Sequence, residues 1–387
     1  MATFFQTTNP KRQSLVRPLQ RPPQPRPSLE SAELEARAPE AGVADFIKTR
    51  AALQAALVNA FKLELATVPP YMCGLYSIRD GTNAESAKLI RSVLVEEMLH
   101  MVLVANLLNA ISTPDEVSNL LSVKAVMADY PAVLPGNIRP TEPKDFRVEL
   151  LPFSAKALDE FLAIERPADP NARLPDPAEF GSIGQFYQAI RFGFDRLKGI
   201  FGGEHNPQIT DEHYYGSGGK IVAVHSLEDA AIAIEEIVGQ GEGIDGTIRD
   251  PDSTLFGVGV EYAHYFKFQE IRCGRFYQEN DTNQQAPTKS IPTGLSFDVS
   301  YSSAHAMRAN PKVAHYRDDP DLARMAIEFN TLYTGLIATI IASVGGHPAE
   351  IRGAILVMHE LRARAKALMN IRLQDGSYAG PTFEYTA

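Results

Sequence analysis

Glu97 and His100 stand three residues apart, as do Glu261 and His264, and no other Glu-x-x-His pair occurs in the chain. On an α-helix that spacing turns both heads to one side, roughly 60° apart, where they can share a metal ion. The surroundings are more informative than the spacing. Ile90, Leu94, Glu97, Met101, Val104, Leu108 and Ile111 alternate steps of four and three, which puts Glu97 in the middle of an apolar seam. His264 lies in the stripe Val260, His264, Phe268, Ile271, and Glu64 is centred among Leu53, Leu57, Ala60, Phe61, Val68 and Tyr71.

Burying a carboxylate is costly unless a cation or strong donors meet it. A lone inward Glu or His is usually a hydrogen-bonded core residue, but five converging ionisable groups call for cations. Arg or Lys could supply them, yet the neighbouring bases Lys62, Arg91 and Lys267 do not all face inward, so metal is favoured. Carboxylate and imidazole ligands without thiolate suit iron, with manganese as alternative, better than structural zinc. A two-metal bundle site takes one lone Glu from each of two helices and a Glu-x-x-His from each of two others. The missing Glu falls to the helix beginning at Leu227. There Glu236 points away and is expected to be solvated, while Glu235 and Glu242 lie on one line and both stay open. Tyr71, seven residues after Glu64, shares its face either as a redox or gating tyrosine or as a core residue with a bonded hydroxyl.

The elements that must position these residues are helices. Periodicity predicts one over 44–78, kinked or ended by Pro69-Pro70, and a second over 83–111 capped by Thr82 or Asn83. Others are predicted over 183–197, 227–240, 256–277, 322–344 and 348–370. Residues 113–225 break the regularity and read as an insertion or lid, apart from the helix at 183–197. Period-two strands are scarce, so the fold class is mainly α: a bundle with a long irregular insertion and extra C-terminal helices. The expected division is a tail over 1–43, the bundle over 44–281, and a C-terminal extension over 282–387 that packs on it.

Composition narrows the function classes. At 44% hydrophobic and 22% charged, the chain has the make-up of a globular protein. A net charge of −10 disfavours nucleic acid. The longest nearly apolar stretch, Leu336 to Val344, is about half the roughly 20 residues of a spanning helix, so no membrane segment is expected. Two cysteines, Cys73 and Cys273, are too few for a disulfide scaffold; they are assigned packing roles in a reducing, cytoplasmic setting. The first 29 residues carry no Asp or Glu, five bases and six prolines, and read as a disordered tail. An acid-free, Arg-containing start also fits a transit peptide, but the prolines spoil the amphipathic helix such peptides form.

The segments Leu63-Glu-Leu-Ala-Thr-Val-Pro-Pro-Tyr71, Tyr76-Ser-Ile-Arg-Asp-Gly81, Glu96-Glu-Met-Leu-His-Met101, Gln240-Gly-Glu-Gly243 and Glu261-Tyr-Ala-His264 carry a family resemblance. Over about residues 47–271, and through a weaker tail similarity at Ala379-Gly-Pro-Thr-Phe-Glu384 as far as the C-terminus, the chain resembles the ferritin-like domain family of iminophenyl-pyruvate dimer synthases, enzymes of bisindole pigment pathways. The resemblance implies a ferritin-like bundle with a non-haem iron centre held by Glu64, Glu97, His100, Glu242, Glu261 and His264. It favours Glu242 over Glu235. The expected function is a di-iron oxidoreductase that uses O₂ to oxidise a small metabolite, an amino-acid derivative being the first candidate, with the insertion as a cover. An iron-storing ferroxidase without organic substrate is the alternative.

Overall fold

The computed structural model describes residues 47–140, 145–167, 179–197, 199–201, 205–213, 218–242, 248–250, 261–281 and 287–387. The expected tail over 1–43 lies outside them. Helix α1 (Arg50–Ser77) starts where the Thr49 side chain accepts from the Ala52 amide. Contrary to expectation it runs unbroken through Pro69 and Pro70. Neither proline can donate to the carbonyl four residues back, Leu65 or Ala66. The freed Ala66 carbonyl instead accepts the hydroxyl of buried Tyr130 at 2.7 Å, which offsets the missing helical bond. Tyr130→Phe is therefore expected to cost about 1–3 kcal/mol of stability, read as a lower urea midpoint with unchanged slope.

Helix α2 (Ala84–Asn109) packs along α1. Asn83 stands at its N-cap with φ of 47° but makes no side-chain cap bond; its amide exchanges hydrogen bonds with the Ser300 backbone. There follow α3 (Pro114–Leu120), α4 (Val123–Val126), α5 (Ala155–Ile164), α6 (Ile183–Arg196), α7 (Leu227–Glu242), α8 (His264–Cys273), α9 (Pro320–Val344) and α10 (Ile351–Met369). The helix expected over 256–277 is shorter, ending at Gly274 in the left-handed conformation, and residues 251–260 are not described. Among the described residues only isolated β-bridges occur and no strand.

Two rings of helices share the α1–α2 pair. One closes as α1, α2, α7, α6, the other as α1, α2, α8, α5. Of 113–225, expected to be an insertion or lid apart from the helix at 183–197, both α5 and α6 are members of these rings. On the far side α9 packs on α2 and α10 on α1, and one continuous apolar core runs from Ile47 to Phe383. By hydropathy and length α1, α2 and α9 could each cross a membrane, which a search for uninterrupted apolar runs misses. In α1 and α2 most of that apolar surface is buried against neighbouring helices.

Candidate metal centre

The two rings meet around a cluster of buried ionisable groups. Glu64 comes from α1, Glu97 and His100 from α2, and His264 from the first turn of α8; all are at most 3% exposed. Glu165, the residue that caps the C-terminus of α5, joins them. His100 Nδ1 lies 3.5 Å from Glu64 Oε2, and His264 Nδ1 lies 3.0 Å from Glu97 Oε1 and 3.4 Å from Glu165 Oε2. Ligand atoms of Glu97 and of the His100 and His264 imidazoles all lie within 4.8 Å of one another. The two rings face each other at 5.2 Å, 23° from parallel. Hydroxyls complete the layer. Thr67 donates to Glu97 Oε2 at 2.7 Å, Tyr71 to Glu165 Oε1, and Tyr187 of α6 to Glu64 Oε1.

Partners outside this layer fix which imidazole nitrogen carries the proton. Gln240 of α7 donates its amide to the Gly218 carbonyl at 2.7 Å and to Glu236 Oε1 at 3.3 Å. Its oxygen is therefore the end facing His100 Nε2 at 2.8 Å, and that nitrogen must donate. His264 Nε2 lies 2.9 Å from Glu96 Oε2, a carboxylate oxygen that Lys267 also contacts at 2.6 Å, so it donates as well. Both Nδ1 atoms consequently turn inward to carboxylates. His264 Nδ1 is buried with no hydrogen-bond partner, its two carboxylate neighbours lying off the line a hydrogen bond needs.

A neutral imidazole lone pair aimed at carboxylates is repulsive, so the cluster requires protons or a metal ion between its members. In the metal-free protein protons serve. Burial and the nearby Glu165 push the Glu97 carboxyl up to about 7. Burial alone would lower both histidines; Glu165, Glu96 and Glu97 outweigh it at His264, and Glu64 outweighs it at His100, raising both. Burial, reinforced by Glu165 and Glu64 respectively, raises Tyr71 and Tyr187, which keeps both phenols protonated. Three carboxylates and two inward imidazole nitrogens are the donor set that iron or manganese prefers. The residues therefore fit the metal centre that the sequence implies.

Beyond His264 lies a second acidic group, Glu96, Asp250 and Glu261, gathered on the ammonium of Lys267. Lys267 is 2% exposed, and it donates to both oxygens of Glu96 at 2.7 and 2.6 Å. Here a protein cation already stands where a metal would.

Of the six expected metal ligands, Glu64, Glu97, His100 and His264 come together. Glu261 does not join them: its carboxylate, 40% exposed, meets Lys267 at 3.3 Å. Glu242 is placed at the N-terminus of α6, where it accepts the Gly184 amide at 2.9 Å; a Cβ on Gly184 would stand 2.4 Å from that carboxylate. Of the other α7 acids, Glu235 is exposed, while Glu236, expected to be solvated, is instead buried and accepts the Lys220 amide. Tyr71 is fully buried with its hydroxyl on Glu165. Of the cysteines, Cys73 is buried as expected and Cys273 is exposed.

Sequence reasoning missed Glu165, Tyr187, Glu96 and the inward course of Lys267. Signals existed for two of them. Leu158, Phe161 and Glu165 continue one stripe in steps of three and four, and Tyr187, Ile190 and Phe194 form another.

A family model described as ferritin-like matches residues 57–273. A 2-imino-3-(indol-3-yl)propanoate dimerase from Chromobacterium violaceum is 29% identical over a stretch covering 60% of this chain and 24% of that one. A dichlorochromopyrrolate synthase from Lentzea aerocolonigenes is 26% identical over 87% of this chain and 36% of its own length. The chain thus spans only a quarter to a third or so of these curated relatives. The crystal structure of a ferritin-like protein from Caulobacter vibrioides is similar with a TM-score of 0.57 at 21% identity, covering 86% of this chain and 97% of that one, which bears on the fold alone. Since the family match takes in more than half of the sequence, and the helices it spans are those that gather the buried cluster, the chain belongs to the ferritin-like family.

Proposed function

We propose that the chain is a non-haem di-iron oxidoreductase that uses O₂ to oxidise a small, amino-acid-derived metabolite. The observation that carries this reading is the pair of inward Nδ1 atoms, both Nε2 positions being committed outward, set against Glu64, Glu97 and Glu165. Glu64 and His100 would hold one ion, Glu165 and His264 the other, with Glu97 between. Iron bound there supplies one-electron redox chemistry and the activation of O₂; manganese suits the same donors.

The residues around the ions have their own tasks. Thr67 holds Glu97 Oε2, leaving Oε1 turned to His264. Tyr71 and Tyr187 hold one oxygen each of Glu165 and Glu64 and keep their proton at the phenol oxygen, orienting those carboxylates. Burial of the whole layer excludes bulk water, which strengthens each of these interactions. The name of one relative specifies an imino acid bearing an indole, which supports an amino-acid derivative as substrate class here.

The test is anaerobic loading of metal-free protein with iron(II), elemental analysis, then an O₂ pulse with and without aromatic α-imino acids. Two irons per chain and O₂ uptake that rises with the organic compound are expected. Glu97→Ala is expected to bring the metal content close to zero, because Glu97 serves both positions. A loaded protein that consumes no O₂ would sink the proposal. Repeated oxidation of iron(II) with no organic compound would move it to the ferroxidase reading, which gains some ground because α5 and α6 belong to the rings and not to a separate cover.

A further inference from the structure

We propose that the two metal positions are unequal, and that Glu96 with Lys267 sets the difference as a positioning pair acting through His264. This rests on the metal reading above.

The two imidazoles have different partners behind them. His264 Nε2 donates to a carboxylate, and both oxygens of that carboxylate are gripped by Lys267. Lys267 is in turn held by Asp250 at 3.6 Å and Glu261 at 3.3 Å. Glu96, Asp250, Lys267 and His264 are each at most 4% exposed, so the brace is packed in place. His100 Nε2 donates instead to the neutral amide oxygen of Gln240. A carboxylate behind a ligating imidazole draws its N–H and makes the opposite nitrogen a stronger donor, and it fixes the ring's orientation more firmly than an amide does. The electron-rich Nδ1 is thus that of His264, beside Glu97 and Glu165. The position at His264 fills first and releases its ion last; the position at His100 is the exchangeable one.

Anaerobic titration of metal-free protein with manganese(II), followed by the electron paramagnetic resonance of free ion and by equilibrium dialysis, should resolve two classes of site at least about tenfold apart. In Glu96→Gln/Lys267→Met, which removes both charges together, the tight class should weaken by about 10–100-fold while the loose class stays. Gln240→Leu should weaken the loose class alone. A second readout uses wild-type protein: in the zinc(II)-loaded form, the nitrogen-15 histidine spectrum should show a markedly more deshielded Nε2 proton for His264 than for His100. That readout stands even if a variant fails to fold. Two equal classes, a tight class unmoved in a double variant that unfolds like wild type, or matching Nε2 protons would each overturn the proposal. Binding of neither manganese nor iron would overturn the metal reading, and this inference with it.

Discussion

Stripped of metal with a chelator, the protein is expected to lose stability steadily as the pH rises from about 5 to 8. Three buried groups act in the same direction. Burial first and then Glu165 push the Glu97 carboxyl up to about 7 in the folded protein, against an ordinary value of 4.5. A carboxyl with a raised folded value binds its proton more tightly when folded, so its contribution is complete below about 4.5 and is lost as the pH climbs through 7. By neutral pH the loss amounts to about 3 kcal/mol. His100 and His264 are also raised above 6.5, because their carboxylate neighbours outweigh the effect of burial. Their contribution is present below the unfolded value and lost as the pH passes the folded one. Thermal unfolding of chelated protein across this range reads the slope. Metal-loaded protein should not show it, and Glu97→Gln should flatten the chelated profile, since the amide can accept from Thr67 and donate toward His264. A chelated wild type whose melting temperature is level from pH 5 to 8 would contradict the convergence of acids described above.

Lys267→Met should be severely destabilising, at about 3–5 kcal/mol. The ammonium is pressed by burial toward neutrality, yet Glu96, Glu261 and Asp250 hold it charged well above the ordinary lysine range. Removing it leaves Glu96 buried without the cation that, with His264, keeps its carboxyl below the usual range against burial. This exceeds the loss at Tyr130, where a single neutral hydrogen bond is at stake. Urea unfolding at pH 7 measures both. Adding Glu96→Gln to Lys267→Met should restore much of the loss, because the stranded charge goes with its partner; a double variant as unstable as the single one would assign the effect to packing.

Helical periodicity made α1, α2 and α7 legible because each carries a continuous apolar stripe, and it singled out Glu64, Glu97, His100 and His264 as acids and imidazoles within such stripes. It misjudged positions whose surroundings come from elsewhere in the chain. Glu96, one residue beside the seam, is buried because α8 covers a second face of α2. Lys267 looks like a surface base in a short apolar helix; only the convergence of Glu96, Asp250 and Glu261 makes its interior place tolerable. Glu261 was read from a spacing that presumes a helix, but α8 begins at His264, so the three-residue step no longer places both heads on one face. Pro69 and Pro70 signal a break by local sterics, and a hydroxyl from Tyr130, 60 residues further on, cancels the signal.

The segment matched to the family ends at 273, yet the interior does not. Leu322, Phe329, Ile337 and Phe383 belong to the same apolar body as Leu57 and Leu103, and the Asn109 amide reaches the Val344 carbonyl at 3.0 Å. Likeness to relatives also runs past that point, over 87% of this chain in the Lentzea aerocolonigenes synthase. The matched segment is not, in this molecule, a unit that could be cut free: excising it would wet one flank of the very pair of rods on which the acidic centre is mounted.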